Sequence, residues 1–329
     1  MHTAEKDATG LLDEVYESIG QGDTDGLMTL AAEPLVVYGP RKGDAHATRS
    51  DALVALKASV DPKKKRAVRS SGSRTVVASP GGHSAWAFDV VDVGGEPFAV
   101  TAVLSNADDV WQLSAAQLAR TPAMKAVRDE VKRDAVVPPG MAGVAKIDPA
   151  AKLAVDKLVK GLTDPSVWAD DLERGADAVL VGPGSGEVER GAAGLKKLFK
   201  KRMKANVRET AAGETTAAAT SDGQLAWVTL PVVRFEDDVD PLPLRVFAVF
   251  EKRDAQWKLT ALQEAIAVDA PGAGAAFKRV APPAPPKVEA PPPVAPAAAP
   301  AAAPAGDDAA PPKKKKKHKH KKKPVDADT

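Results

Sequence analysis

Four of the chain's five tryptophans sit in β-prone runs that occur twice in the same order. The first run, Ala85-Trp86-Ala87-Phe88-Asp89-Val90, follows the glycine turn Gly81-Gly82-His83. The second, Leu225-Ala226-Trp227-Val228-Thr229-Leu230, follows Asp222-Gly223-Gln224. Each leads on to another Trp strand, Val110-Trp111-Gln112-Leu113 and Gln256-Trp257-Lys258-Leu259. A repetition of this kind constrains the chain to two similar units side by side. The spacing from Trp86 to Trp227 is 141 positions and that from Trp111 to Trp257 is 146. The intervening hairpin is therefore longer in the second unit, around Glu236 to Pro241.

Helical periodicity precedes the strands in both units. Leu11, Leu12, Val15, Tyr16 and Ile19 mark a first helix, ended by Gly20 and Gly22. Asp23-Thr24-Asp25-Gly26 offers caps for a short second helix. Leu35 to Tyr38 is a short strand closed by Gly39-Pro40, and Ser50-Asp51 caps a third helix with a basic end from Lys57 to Arg69. Arg74 to Ala78, Ser84 to Val93, Pro97 to Ser105 and Val110 to Leu118 read as a meander. Trp86, Phe88 and Val90 share one parity, as do Phe98, Val100, Ala102 and Leu104, so one face is expected to form the apolar layer.

In the second unit Leu153, Leu158, Val159 and Leu162 mark the first helix, and Asp164-Pro165 starts the next. Ala178 to Val181 is a short strand closed by Gly182-Pro183. Ala192 to Lys204 is the third helix, followed by four strand candidates between Glu214 and Ile266. The domains expected are residues 1–120, a connecting helix and linker over 121–147 with Met124, Val127, Val131 and Ala135 on one face, and residues 148–270. A Pro/Ala spacer over 271–312 and a Lys-rich tail over 313–329 follow; Pro blocks ladders and helices there, so the segment is expected to be disordered.

The formal charge of +2 hides an asymmetry. Ten basic and five acidic residues lie beyond Val280, which leaves 36 basic against 39 acidic in the body. Nine lysines crowd into eleven positions: Lys313, Lys314, Lys315, Lys316, Lys317, Lys319, Lys321, Lys322 and Lys323. An anionic partner is implied for the tail, whether nucleic acid, polyphosphate, an anionic lipid surface or an acidic protein. The chain has no cysteine, which excludes disulfides, thiolate nucleophiles and cysteine-built metal sites and fits a cytoplasmic setting. No run is long and apolar enough to span a bilayer.

The order helix, helix, short strand closed by Gly-Pro, helix, four-strand meander resembles the SnoaL-like group of the nuclear-transport-factor-2-like superfamily. The Gly22-Asp23-Thr24-Asp25-Gly26 turn resembles that group's break between its first two helices. Trp111-Gln112-Leu113 and Trp257-Lys258-Leu259 resemble its terminal strand. The resemblance covers roughly 8–120 and 150–268. It implies an α+β fold: two tandem cones, each with N-terminal helices packed on a curved, mostly antiparallel sheet, paired within one chain through their outer sheet faces. Ketosteroid isomerases of this superfamily place a carboxylate base where this chain has Gly39 and Gly182. Their oxyanion-donating tyrosine corresponds to Val15, one position from Tyr16.

No pattern assigns a catalytic group, a cofactor or a metal. His83 reads as a turn residue, and His46 sits in a polar loop without companion ligands. Gly182-Pro183-Gly184-Ser185-Gly186 lacks the Lys of a phosphate loop. The Trp pairs read as core or inter-domain packing, with a pocket for a small apolar ligand as the other possibility. Lys196, Lys197, Lys200, Lys201, Arg202 and Lys204 form a possible anion-binding helix; Lys57, Lys63, Lys64, Lys65, Arg66 and Arg69 form a similar cluster in the first unit. No aromatic residues are interleaved for base stacking, so phosphate contact without sequence reading suits them better. The function expected is a non-catalytic binding or scaffold protein with a polyanion-binding tail; the alternative is a carrier or an isomerase- or dehydratase-type enzyme using a cone pocket.

Overall fold

Two seven-stranded sheets organise the chain. A computed structural model describes residues 3–40, 44–58, 67–93, 95–126, 128–129, 147–164, 166–172, 177–237 and 239–266. Lys63, Lys64, Lys65, Arg66, most of the connecting segment, the spacer and the tail lysines lie outside the described residues. The first unit runs α1 (Thr3–Gln21), α2 (Thr24–Leu30), β1 (Ala31–Tyr38), β2 (Ala45–His46), α3 (Arg49–Ala58), β3 (Val68–Ser70), β4 (Thr75–Ala78), β5 (Ser84–Val93), β6 (Glu96–Ala107) and β7 (Val110–Arg120). The second opens with a 3-10 turn (Pro149–Ala151) and continues α4 (Lys152–Thr163), α5 (Ser166–Leu172), β8 (Val179–Val181), β9 (Val188–Arg190), α6 (Gly191–Lys204), β10 (Arg208–Ala211), β11 (Thr216–Ala219), β12 (Leu225–Phe235), β13 (Leu242–Arg253) and β14 (Gln256–Ala265).

The strand order is β2-β1-β7-β6-β5-β3 in one sheet and β9-β8-β14-β13-β12-β10 in the other, with β4 and β11 paired to β5 and β12. Only β1 with β7 and β8 with β14 run parallel among the paired strands. The registers coincide too. Trp86 faces Val103 and Val77; Trp227 faces Val249 and Ala218. Trp111 faces Asn106 as Trp257 faces Lys252. A register shift falls between Val103 and Leu104 in one sheet and between Val249 and Phe250 in the other; such bulges bend the strands that carry them.

Local chemistry explains the helix ends. At the end of α1, the Gly22 amide donates to the Ile19 carbonyl and the Asp23 amide to that of Ser18, the paired bonds of a Schellman turn, which need the left-handed φ of +69° at Gly22. Asp23 then caps α2 by accepting from the Gly26 amide at 3.0 Å. The third helix departs from expectation: Thr48, not Ser50 or Asp51, is the cap, accepting from the Asp51 amide at 3.2 Å.

Four short strands were not foreseen. β2, β3, β9 and β10 are two to four residues long, too short for alternation to show. His46 lies in β2, opposite Val37, rather than in a loop. The single apolar layer also needs correction, because both faces of the sheets are buried. Ala85, Ala87, Phe98, Val100, Ala102 and Leu104 pack beneath Leu11, Leu12 and Val15 of α1. Trp86, Phe88, Ala99 and Val103 turn the other way and join Trp227, Phe247 and Val249 of the second sheet in one core cluster. Trp227 and Phe247 stack with centroids 6.3 Å apart.

Polar groups clamp the two sheets. Gln117 donates to the Gln263 carbonyl and Gln263 to the Ala99 carbonyl, each at 3.1 Å. Ser84 and Ser79 donate to Asp222 at 2.7 and 3.1 Å. Arg245 donates to the Gly39 carbonyl at 2.9 Å and lies 5.3 Å from the Tyr38 ring centroid.

Candidate functional site

The first cone holds the only described carboxylate buried beneath its helices on the inner face of β5. Asp89 is 1% exposed. Its Oδ1 accepts from Ser70 Oγ at 2.8 Å and its Oδ2 from Arg74 Nε at 2.8 Å. Arg74 also pairs with Asp13 at 2.8 Å and lies 5.4 Å from the Tyr16 ring centroid. The chain places these groups by strand parity: β3 brings Ser70 opposite Val91, and β4 brings Thr75 opposite Phe88, so Arg74 enters beside Asp89. The Tyr16 hydroxyl is buried beside Asp89. Burial, and then the negative charge of Asp89, push its ionisation well above the ordinary phenol range, so it stays a protonated donor.

A cavity of about 550 Å³ opens between α1 and β3, lined by Asp13, Tyr16, Glu17, Gly20, Gln21, Ala67, Val68, Arg69 and Ser70. Tyr16 and Ser70 thus connect this space to the buried Asp89. Neither Gly39 nor Gly182, the positions matching an isomerase base, lies in it. The Gly39 amide donates to the Asp44 carbonyl while its own carbonyl takes Arg245. The Gly182 amide donates to the Glu187 carbonyl.

The second cone is built differently at the same places. By register, Leu230 stands where the first has Asp89, Ala211 where it has Ser70, and Thr215 where it has Arg74. Conversely Val68, Val93 and Leu118 of the first cone become Glu209, Arg234 and Glu264. Arg234 Nε meets Glu209 at 2.7 Å, Arg202 Nη2 meets Glu264 at 2.6 Å, and Arg234 also pairs with Glu264. All four are buried. Burial alone would raise Glu264, but the two guanidiniums hold it down at about 2. Burial pushes Glu209 up, against the pull of Arg234.

Arg202 is therefore not part of an exposed cationic face. Lys196, Lys197, Lys200, Lys201 and Lys204 are exposed along α6, while Arg202 is 7% exposed and turned inward. Arg69 is exposed at the cavity rim, and Lys57 lies in α3. Glycine 184 in the Gly-rich loop is covered by the Met124 side chain, and its amide donates to Glu187 at 3.0 Å. Among the described residues no group of three or more His, Asp or Glu is placed to hold a metal, and no helix is long and apolar enough to cross a membrane.

The residues that sequence reasoning missed are Asp89, Arg74, Ser70 and the Arg/Glu quartet. The signal was present in part: Asp89 and Arg234 each interrupt an apolar run, Trp86 to Val91 and Leu230 to Phe235.

Residues 165–269 match the family model described as a SnoaL-like domain. No curated protein matches the chain. Among solved structures, a nuclear-transport-factor-2-like protein of unknown function from Silicibacter pomeroyi is 16% identical, covering 36% of this chain and 99% of its own, with a TM-score of 0.30. One from Pseudomonas putida is 14% identical, covering 37% and 90%, with a TM-score of 0.33. A nuclear-transport-factor-2-like protein from Cytophaga hutchinsonii is 15% identical, covering 36% and 99%, with a TM-score of 0.30. Over residues 165–269, which take in α5 to β14, the chain is thus similar to a SnoaL-like domain.

Proposed function

We propose that the chain is a non-catalytic binding protein, in which joined cones form a platform, the first cone takes a small ligand and the Lys-rich tail holds a polyanion. The observation that carries the non-catalytic part is the engagement of Asp89. It is 1% exposed and each oxygen is already held by a donor, Ser70 and Arg74, whereas a general base must come within hydrogen-bond reach of a substrate proton. A carrier asks less of the site. The cavity beside Tyr16 falls in the size range of small-molecule pockets. Its lining of Tyr16, Ser70, Gln21 and Arg69 beside Val68 and Ala67 suits a ligand with an apolar body and a polar head, a broader class than the wholly apolar one expected from sequence.

Deuterium exchange at the α-carbon of a simple ketone tests the first part. No exchange above the buffer rate is expected. Exchange by the wild type that is lost in Asp89→Asn and in Tyr16→Phe would restore the isomerase-type alternative.

The tail belongs to the same reading. Nine lysines within Lys313 to Lys323 suit nucleic acid, polyphosphate, an anionic lipid surface or an acidic protein, with Lys196, Lys197, Lys200, Lys201 and Lys204 as a second cationic surface. A cytoplasmic setting rests on the absence of cysteine. Full-length protein and a truncation after Pro312 should be compared on duplex DNA and on anionic vesicles across a salt series. Full-length protein is expected to bind more tightly, and its slope on DNA to steepen by about 0.9 for each phosphate neutralised. Equal binding by both proteins sinks the tail's role.

A further inference from the structure

The shared register gives every interface residue of one cone a counterpart in the other. Where two counterparts differ greatly in size, one of the two equivalent clefts is filled and the other is open. Arg190 and Ala47 are such a pair. Arg190 faces Val179 on β8, and Ala47 follows His46, which faces Val37 on β1; Val179 and Val36 occupy matching places beside Ala261 and Ala115.

On the Arg190 side the cleft is closed by the chain itself. The guanidinium lies 5.0 Å from the Phe88 ring centroid and donates to the Thr75 hydroxyl and the Ser73 carbonyl. On the Ala47 side the methyl group reaches none of this. A cavity of about 590 Å³ remains there, with Pro34, Val36, Ala47, Thr216, Ala218 and Trp227 in its wall. Thr216 is the counterpart of Thr75. Its hydroxyl is buried, the residue being 3% exposed, and has no hydrogen-bond partner among the described residues. Leaving such a group unpaired is costly.

We propose that this cleft is a binding site for a small organic cation with a planar guanidinium- or amidinium-type head. In the filled cleft a planar cation donates to a threonine hydroxyl and lies over the Phe88 ring; the open cleft keeps the threonine as Thr216, has Thr229 in the place of Phe88, and sets Trp227 in its wall instead. Among the described residues, Asp148 is the one charged residue lining the open cleft. It is fixed there by the Ala150 and Ala219 amides, at 2.9 and 3.3 Å, so its field selects a cation and rejects an anion. Trp227 supplies the ring, and an indole face is the strongest of the aromatic partners for a cation. The alanines and Val36 accommodate an apolar body.

The test titrates full-length protein with benzamidine, with n-butylguanidinium and with the neutral isostere benzamide, read by calorimetry and by Trp fluorescence. Saturable binding of both cations is expected, with benzamide weaker by about tenfold or more, the loss of one charge-assisted contact. Ala47→Arg should refill the cleft, abolish binding and raise Tm; Thr216→Val should weaken the cations several-fold. No saturation up to millimolar probe overturns the proposal, as does benzamide binding as tightly as benzamidine. Undiminished affinity in Ala47→Arg overturns it too. Should that variant fail to fold, undiminished affinity in Thr216→Val has the same force.

Discussion

Gln117 and Gln263 occupy the same place on β7 and β14 and meet across the sheet interface. Gln117 donates to the Gln263 carbonyl at 3.1 Å, and Gln263 donates to the Ala99 carbonyl at 3.1 Å. Both side chains are fully buried, so these bonds form away from competing water. Gln263→Leu should cost about 1–3 kcal/mol, the penalty for leaving a buried carbonyl unpaired. Gln117→Leu combined with it should cost less than the sum, because the two share one network. Urea denaturation of the two single variants and the double variant measures the coupling; strict additivity would separate the two contacts.

The Arg/Glu quartet of the second cone yields a prediction that the first cone itself supplies. Val68, Val93 and Leu118 do apolar packing where Glu209, Arg234 and Glu264 pair. Glu264→Leu alone leaves two buried guanidiniums to the single carboxylate of Glu209 and should cost about 3–5 kcal/mol. Replacing the whole group (Glu209→Val, Arg234→Val, Glu264→Leu and Arg202→Met) should be neutral or stabilising by about 1–4 kcal/mol, as apolar replacement of buried ion networks often is. Thermal denaturation of both variants decides it; a quadruple variant less stable than Glu264→Leu refutes the expectation.

Asp222 makes the interface sensitive to acid. Burial would raise its pKa, but the hydroxyls of Thr220 and Ser84, the Gln224 amide and the Ser79 hydroxyl hold it below the usual 3.8. A depressed folded pKa contributes stability that is present above the unfolded value and lost as pH falls through the folded one. The difference in stability between wild type and Asp222→Asn should therefore be constant near neutrality and shrink as pH falls below about 4. A difference unchanged down to pH 2 contradicts the assignment. Ser84→Ala should cost about 1.5–3 kcal/mol at neutral pH, as expected for a hydrogen bond to a charged group.

Trp86 is 0% exposed and lies in the cluster joining the two sheets. Trp86→Ala should destabilise by about 3–5 kcal/mol. Because the cavity would lie between the sheets, the loss should appear in the transitions of both cones when each is followed by its own probe. A loss confined to the first cone would mean that the cones unfold independently.

Gly161 sits where α4 meets α5. A Cβ there would overlap the Trp168 indole, which is itself 1% exposed and tilted against Phe199 with centroids 5.8 Å apart. Gly161→Ala should destabilise by about 1–3 kcal/mol despite the helix propensity it gains, since overpacking outweighs the propensity. Chemical denaturation is sufficient to read the sign.

Element order, the long strands and the correspondence of Trp86 with Trp227 were legible in the sequence, because alternation with period two and helical periodicity are local properties. The strand pairing realises both Trp correspondences at the predicted spacings. Strands of two to four residues such as β2 and β10 were not legible, since pairing with a neighbour defines them rather than their own pattern. Nor was the burial of both sheet faces, which needs a second sheet opposite the first. Arg202 illustrates the limit most plainly. Its sequence neighbours make it one more cation on a wet helix, but Glu264, 62 positions away, turns it into a buried ion pair. Sequence by itself determined the helices and long strands and that two units share their order. Tertiary structure alone decided which charges meet, because Asp89 with Arg74, Asp222 with Ser84, and the contrast of Ala47 with Arg190 depend on strand register and on one sheet facing the other.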